Sequence, residues 1–292
     1  MKHIKSPVQV LLTISICCIL PSMLFGIDWP IQDGKGIKNF GFNEKGHAER
    51  GILFLSENSV FPADAGELIF ISSNNRRGPF LQPLGNWVAL QHQDSLIGIY
   101  GHLSEIEANS ISSIAERSIP IAKAGNSGWS NSSQLQFSVF DRKVSGYVNP
   151  QLLINMTDTK APHIKQTILI GKDGQRIVLG QIKKIKQGTY RFYIDAYDEA
   201  EIFVNNVAAP YQFRVFINGA LQGNLELDLL SAEDGNLQVG LSKGQSTNVI
   251  YQTDGTYFMG EIPLNRGKIL CEVIAADTMG NVRSQTYQFQ VE

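Results

Sequence analysis

The sequence predicts a mainly β protein built from two consecutive domains. Three observations carry that prediction. From Gly51 onward the apolar residues fall in short runs rich in Val, Ile, Leu and aromatics, separated by Gly, Pro, Asn and Ser turns. No stretch of the first half has a convincing long amphipathic helical period. The apolar pattern then breaks at Met156–Pro162, where Thr157-Asp158-Thr159-Lys160 stands ahead of a proline.

Length and composition agree. A chain of 292 residues can hold two ordinary domains, each with its own core. Hydrophobic and charged fractions of 43% and 18% are those of a folded globular protein. The net charge of -2 lacks the basic surplus of a nucleic-acid binder and offers no strong attraction to anionic surfaces. Partner chemistry has to come from motifs.

Residues 1–26 read as an address label. Lys2, His3 and Lys5 precede an apolar run from Val8 to Leu20, followed by Pro21, Ser22 and Gly26, the order of a secretory signal peptide. The expected destination is the periplasm or cell envelope. Leu24-Phe25-Gly26 is a poor small-x-small cleavage pattern, so a retained membrane anchor stays open. Lipidation at Cys17 or Cys18 stays open too, although neither follows a well-formed lipobox. Without the signal only Cys271 remains, in an apolar strand setting that suggests a buried thiol and no internal disulfide.

Over residues 27–155, strands are expected at Gly51–Leu55, Glu67–Ser72, Trp87–Gln91, Leu96–Tyr100 and Leu135–Phe140. Ser104–Ser113 reads as a short helix or a turn, and Arg76-Arg77 as a solvated turn. Residues 156–162 form the linker. Beyond it, strands are expected at Thr167–Ile170, Arg176–Leu179, Thr189–Asp195, Gln212–Ile217, Thr256–Pro263, Ile269–Ala275 and Ser284–Val291. About seven short strands in roughly 130 residues fit an immunoglobulin-like β-sandwich over 163–292. Ala276–Asn281 reads as a turn with Gly280 at positive φ, and Tyr287, Phe289 and Val291 fall on one face of the last strand. Tyr190, Phe192, Tyr193 and Tyr197 are spaced like core and rim, not like a binding stripe.

Three segments carry chemistry. The first is Glu49-Arg50-Gly51-Ile52-Leu53, followed by Val60-Phe61-Pro62-Ala63-Asp64-Ala65-Gly66. The second is Gly85-Asn86-Trp87-Val88, leading to Tyr100-Gly101-His102-Leu103-Ser104. The third is Gly125-Asn126-Ser127-Gly128-Trp129-Ser130, running to Gln134-Leu135-Gln136-Phe137-Ser138-Val139, with Val148-Asn149-Pro150 after it. Together, and in this order, they resemble the LytM/lysostaphin-type (M23) peptidoglycan peptidases. Tyr193–Asp198 and Phe213–Gly219 are similar to the sandwich region that follows such domains in some Bacteroidetes and spirochaete envelope proteins.

The resemblance implies a zinc centre held by a His and an Asp of the first motif and the second His of a His-x-His strand. Those positions are here Glu49, Leu53 and Gln136. Zinc needs about three nitrogen, thiolate or carboxylate donors and an open position for water. Leu53 has no donor, Gln136 offers a neutral amide oxygen, and Glu49 alone makes no site. The helper histidine is replaced by Gln134, which cannot shuttle a proton near neutral pH. Only His102 survives from the catalytic set.

The expectation is therefore an emptied polar groove lined by Glu49, His102, Trp129, Gln134 and Gln136, with no cofactor and no catalytic residue. By resemblance it would bind peptidoglycan or regulate a cell-wall hydrolase. His102 is either a satisfied structural histidine or a ligand grip; Trp129 is either a stacking surface or a plug in the vacated pocket. The alternative is a working zinc metalloendopeptidase cleaving peptidoglycan cross-bridges, with a metal site regrouped from His47, Glu49, His92, Asp94 and His102. His92 and Asp94, two residues apart, read more simply as a solvated hairpin end. A third reading makes both domains spacers of a surface-adhesion protein.

Overall fold

Alternation organises the first domain around the strand Gln134–Asp141. Leu135, Phe137 and Val139 are buried on one face, while Gln134, Gln136 and Ser138 take the other. This strand pairs antiparallel with Ile52–Leu55 and with Leu96–Ile106. Its apolar face meets Ile52, Phe54, Val88, Leu90, Tyr100 and Leu103 in one core. The sheet continues through Asn86–Gln91 to Gly66–Ser72. The computed structural model describes residues 26–73, 82–107, 114–203, 208–240 and 244–292; among these the sheet has thirteen strands.

The five strands expected in this half are present. One expectation fails at Ser104, where a short helix or turn was anticipated and the Leu96 strand runs on to Ile106. The cause is pairing: fully buried Leu103 lies opposite Ala124, and Ile106 opposite Ala122, so the ladder continues. Residues 108–113, Cys17, Cys18 and the Arg76-Arg77 turn lie outside the described residues.

The second half folds as two sheets over one core. Arg176–Val178, His163–Ile170, Gly188–Tyr197 and Tyr257–Leu264 make a four-stranded sheet. The other contains Lys184–Ile185, Val282–Val291, Gly267–Ala276, Gln212–Ile217 and Ala220–Glu226. Leu169, Phe192, Ile194, Phe213, Val215, Cys271 and Val273 fill the space between. Burial pushes the Cys271 thiol up to about 12, which leaves it inert as a nucleophile. The Ala276–Asn281 turn forms, with Gly280 at φ 86° and the Asp277 carboxylate accepting the Met279 and Asn281 N–H groups.

The halves interlock. Gly146–Val148 of the first pairs with Leu229–Glu233 of the second, so the first sheet is extended by a strand from beyond the linker. In return Phe40, 1% exposed, is buried in the second core. Asn39 fixes it there: its Nδ2 donates to Gln151 Oε1 and to the Ala209 carbonyl, both at 2.9 Å, and its Oδ1 accepts the Ala209 N–H. Asn43 Nδ2 donates to the carbonyls of Gln252 and Thr256. The 39–43 arm is thus anchored on the second half although it belongs by sequence to the first.

Linker residue Asp158 joins this junction, its carbonyl accepting Asn281 Nδ2 at 3.0 Å. The carboxylates of Asp158, Asp198 and Asp277 gather within 4.8 Å of one another. Burial, and then the charges of Asp277 and Asp158, push the Asp198 carboxyl up to about 7.

Two expectations follow. Phe40→Ala should cost about 3–5 kcal/mol in urea unfolding of the full chain, because it empties a core position the neighbours cannot refill; a loss below about 1 kcal/mol would show that the arm is not part of that core. Asp198 binds its proton more tightly folded than unfolded, so between its ordinary value of 3.8 and about 7 stability falls as pH rises. Asp198→Asn should therefore raise Tm by roughly 5 °C at pH 8 and change it little at pH 4, and equal shifts at both pH values would refute the assignment.

Candidate functional site

The polar face of the Gln134–Asp141 strand forms the floor of a groove of about 470 Å³. Register sets its centre. Gln136 lies opposite Leu53 on one neighbouring strand and Gly101 on the other, so Leu53, Gln136 and the residue after Gly101, His102, come together in one row. Leu53 faces the groove because its neighbours Ile52 and Phe54 are committed to the core.

Glu49 enters from the side. Its Oε1 accepts two hydrogen bonds, from Gln136 Nε2 at 2.9 Å and from the Arg50 N–H at 2.8 Å. Burial raises its pKa above the usual carboxylate value, against the opposing pull of those two donors. Gln134 is held by its own loop: Oε1 accepts from Ser130 Oγ and Nε2 donates to Ser132 Oγ.

His102 holds a left-handed backbone, φ 62°, which costs a non-glycine residue on the order of 1 kcal/mol. Its ring lies 2.9 Å from the Ser127 carbonyl through Nδ1. A carbonyl only accepts, so Nδ1 carries the hydrogen and Nε2 is left as an acceptor. Burial lowers the pKa of the ring, which is therefore neutral near pH 7.

Trp129 stands at the mouth. It is 67% exposed, which excludes the plug reading. Its loop is rigidly mounted: the Trp129 N–H donates to the Pro83 carbonyl at 3.0 Å, and Ser127 Oγ accepts the Asn86 N–H. Gly128 and Gly85 touch back to back, each at positive φ, with no room for a Cβ on either.

The structure thus brings Glu49, Leu53, His102, Trp129, Gln134 and Gln136 into one groove. It does not bring the rest of the regrouped metal set. His47 is exposed on a hairpin and Asp94 is exposed at φ 55°. His92 corrects an expectation: it is buried, not at a solvated hairpin end. Gly66 and Gly98 flank the ring closely enough that a Cβ on either would collide with it, and this space admits the imidazole. There it meets the Ala65 carbonyl at 3.2 Å and Tyr100 Oη at 3.4 Å, while Tyr100 Oη accepts the Ala63 N–H.

Sequence reasoning missed one wall. Lys38 and Glu44 form an ion pair at its rim, and the Arg50 guanidinium sits 5.6 Å from the Tyr147 ring centroid. The available signal was Lys45-Gly46, both at positive φ, a two-residue turn that folds Asn43-Glu44 back on His47-Ala48.

The model for peptidase family M23 matches residues 48–150. That span, about a third of the chain, contains the three segments that carry the resemblance. A second family model matches residues 161–292. Among solved structures, the catalytic domain of the prophage-encoded M23 protein EnpA from Enterococcus faecalis is 20% identical, covering 44% of this chain and 95% of that one, with a TM-score of 0.37. A zinc-containing peptidase from Vibrio cholerae is 21% identical over 46% of this chain and 41% of its own, with a TM-score of 0.35. The antimicrobial peptidase lysostaphin from Staphylococcus simulans is 16% identical over 78% and 88%, with a TM-score of 0.36. No curated protein matches the chain. The matched span holds the groove residues from Glu49 to Tyr147, and the arm that precedes it supplies the Lys38–Glu44 rim.

The glycine pair gives a test of the loop mounting. Gly128→Ala would put a methyl 2.4 Å from the Pro83 carbonyl at a φ of 72°. The expected loss is at least about 2 kcal/mol in urea unfolding, and an unchanged midpoint would show that the two loops are not locked together.

Proposed function

We propose that this chain is an M23-type protein of the cell envelope that holds peptidoglycan, or a hydrolase acting on it, in its groove without cutting. One observation carries the reading. At the positions where the family resemblance implies zinc ligands, Gln136 Nε2 donates to Glu49 Oε1 at 2.9 Å, beside the hydrocarbon of Leu53. The side chains have closed on each other in a hydrogen bond that leaves no set of three donors.

Zinc does not fit these residues. Leu53 contributes nothing, the Gln136 amide nitrogen points its hydrogen at the Glu49 carboxylate, and burial of Glu49 raises its pKa, which works against the charged form a metal needs. The neutral His102 and the preserved groove support a retained binding role, since the cleft has stayed open at about 470 Å³, within the size range of ligand pockets. The basic, apolar and small-residue order of residues 1–26 supports export, which would bring the groove to the wall.

Metal content, sacculus cleavage and sacculus retention decide between the readings. The purified chain should carry well under one zinc per molecule after incubation with the metal, release no soluble fragments from sacculi, and co-sediment with them. Stoichiometric zinc lost in Glu49→Gln and His102→Ala, together with fragment release, would establish the metalloendopeptidase instead. Indifference of all interactions to groove substitutions would leave only the spacer role.

A further inference from the structure

Groove chemistry narrows what the wall polymer would present to it. Among the described residues Trp129 is the most exposed large apolar side chain, at 67%. Its loop is nevertheless fixed on both flanks, by the Trp129 N–H bond to Pro83 and by the reciprocal backbone bonds of Gly125 and Gln134. An indole on a rigid mount beside a groove is a stacking platform formed before any ligand arrives, so little ordering entropy is lost on binding.

Beside it, Asn131, Gln134 and Gln136 line the groove with amides. His102 adds a neutral acceptor, with no hydrogen-bond partner on Nε2 among the described residues. The two cations of the lining stand against two carboxylates: Lys38 is paired with Glu44, and Arg50 lies over the face of Tyr147 beside Glu49, which leaves no surplus of positive charge. A stem peptide of the wall, with its free carboxylates, would be favoured by a lining with a surplus of cations. A sugar ring needs what is present: a flat aromatic face for its C–H surface, and neutral groups that both donate and accept for its hydroxyl and acetamido substituents.

We propose that the groove takes the glycan backbone of the wall, a polymer of N-acetylated hexosamines, with one pyranose ring stacked on Trp129 and its substituents bonded by the amide floor and His102 Nε2. This rests on reading the chain as a wall-binding protein and names the part of the wall it grips.

The test uses the full chain with two soluble probes, a β-1,4-linked N-acetylglucosamine tetramer and a free stem tetrapeptide, alongside intact sacculi, all read by calorimetry or co-sedimentation. Wild type should bind the tetramer saturably and the tetrapeptide weakly or not at all. Trp129→Ala should weaken tetramer binding about tenfold or more, and Trp129→Phe should restore most of it. Because the indole is exposed, both variants should keep the wild-type Tm, which separates lost stacking from lost folding. Binding of the tetrapeptide in preference to the tetramer overturns the inference, as does a Trp129→Ala affinity within twofold of wild type. Retention on sacculi without tetramer binding leaves the wall-binding reading standing and removes this one; absence of sacculus retention and of tetramer binding removes both.

Discussion

The structure depends on the two-sidedness of the Gln134–Asp141 strand. One face locks the first core through Leu135, Phe137 and Val139, and the other lays down the polar floor of the groove. A register slip of one residue would turn the amides inward and the apolar side chains out. The core therefore fixes the site, because Gln136 cannot leave its place opposite Leu53 without dismantling the packing beneath it. This is why Leu53, Gln136 and His102 share one row at the centre of the groove.

Gln136 is only 8% exposed, and a buried amide without partners costs more than the hydrogen bond it lacks. Glu49 supplies that partner and is itself satisfied by the Arg50 N–H. The pair is held in turn by the arm before it. The Gly41 N–H donates to the Glu49 carbonyl and the Glu49 N–H to the Phe42 carbonyl, and Phe40 is buried in the second core. Position 49 is thereby fixed to the second domain, so the groove is a product of both halves.

Much of this was legible from the residues. Period-two alternation gave the main strands, and the Gly-rich motifs gave the groove loops, because backbones that approach as closely as Gly85 and Gly128 admit no other residue. What stayed hidden was long-range. Nothing local in Asn39-Phe40 distinguishes a residue serving the second core from one serving the first, and Leu229–Glu233 has no sequence mark of its partner strand. His92 was misread for a related reason: spacing of two within a turn-rich stretch suggested a solvated end, whereas its space is made by Gly66 and Gly98 from other strands. The Leu96 strand ran past its expected end because Ala122 and Ala124 lie beside it, a pairing invisible to local propensity.

The strand exchange across the linker has a consequence for how the molecule can be divided. Separated at residues 156–162, the first half would show an uncovered run of backbone donors and acceptors along Gly146–Val148 and an orphaned Phe40, and the second an open slot where that ring had been. Bare sheet edges recruit other strands. Either fragment would thus tend to self-associate, and two intact chains could trade their 39–43 arms to make an entangled pair. For expression in the laboratory, the arm and both halves therefore belong on one chain.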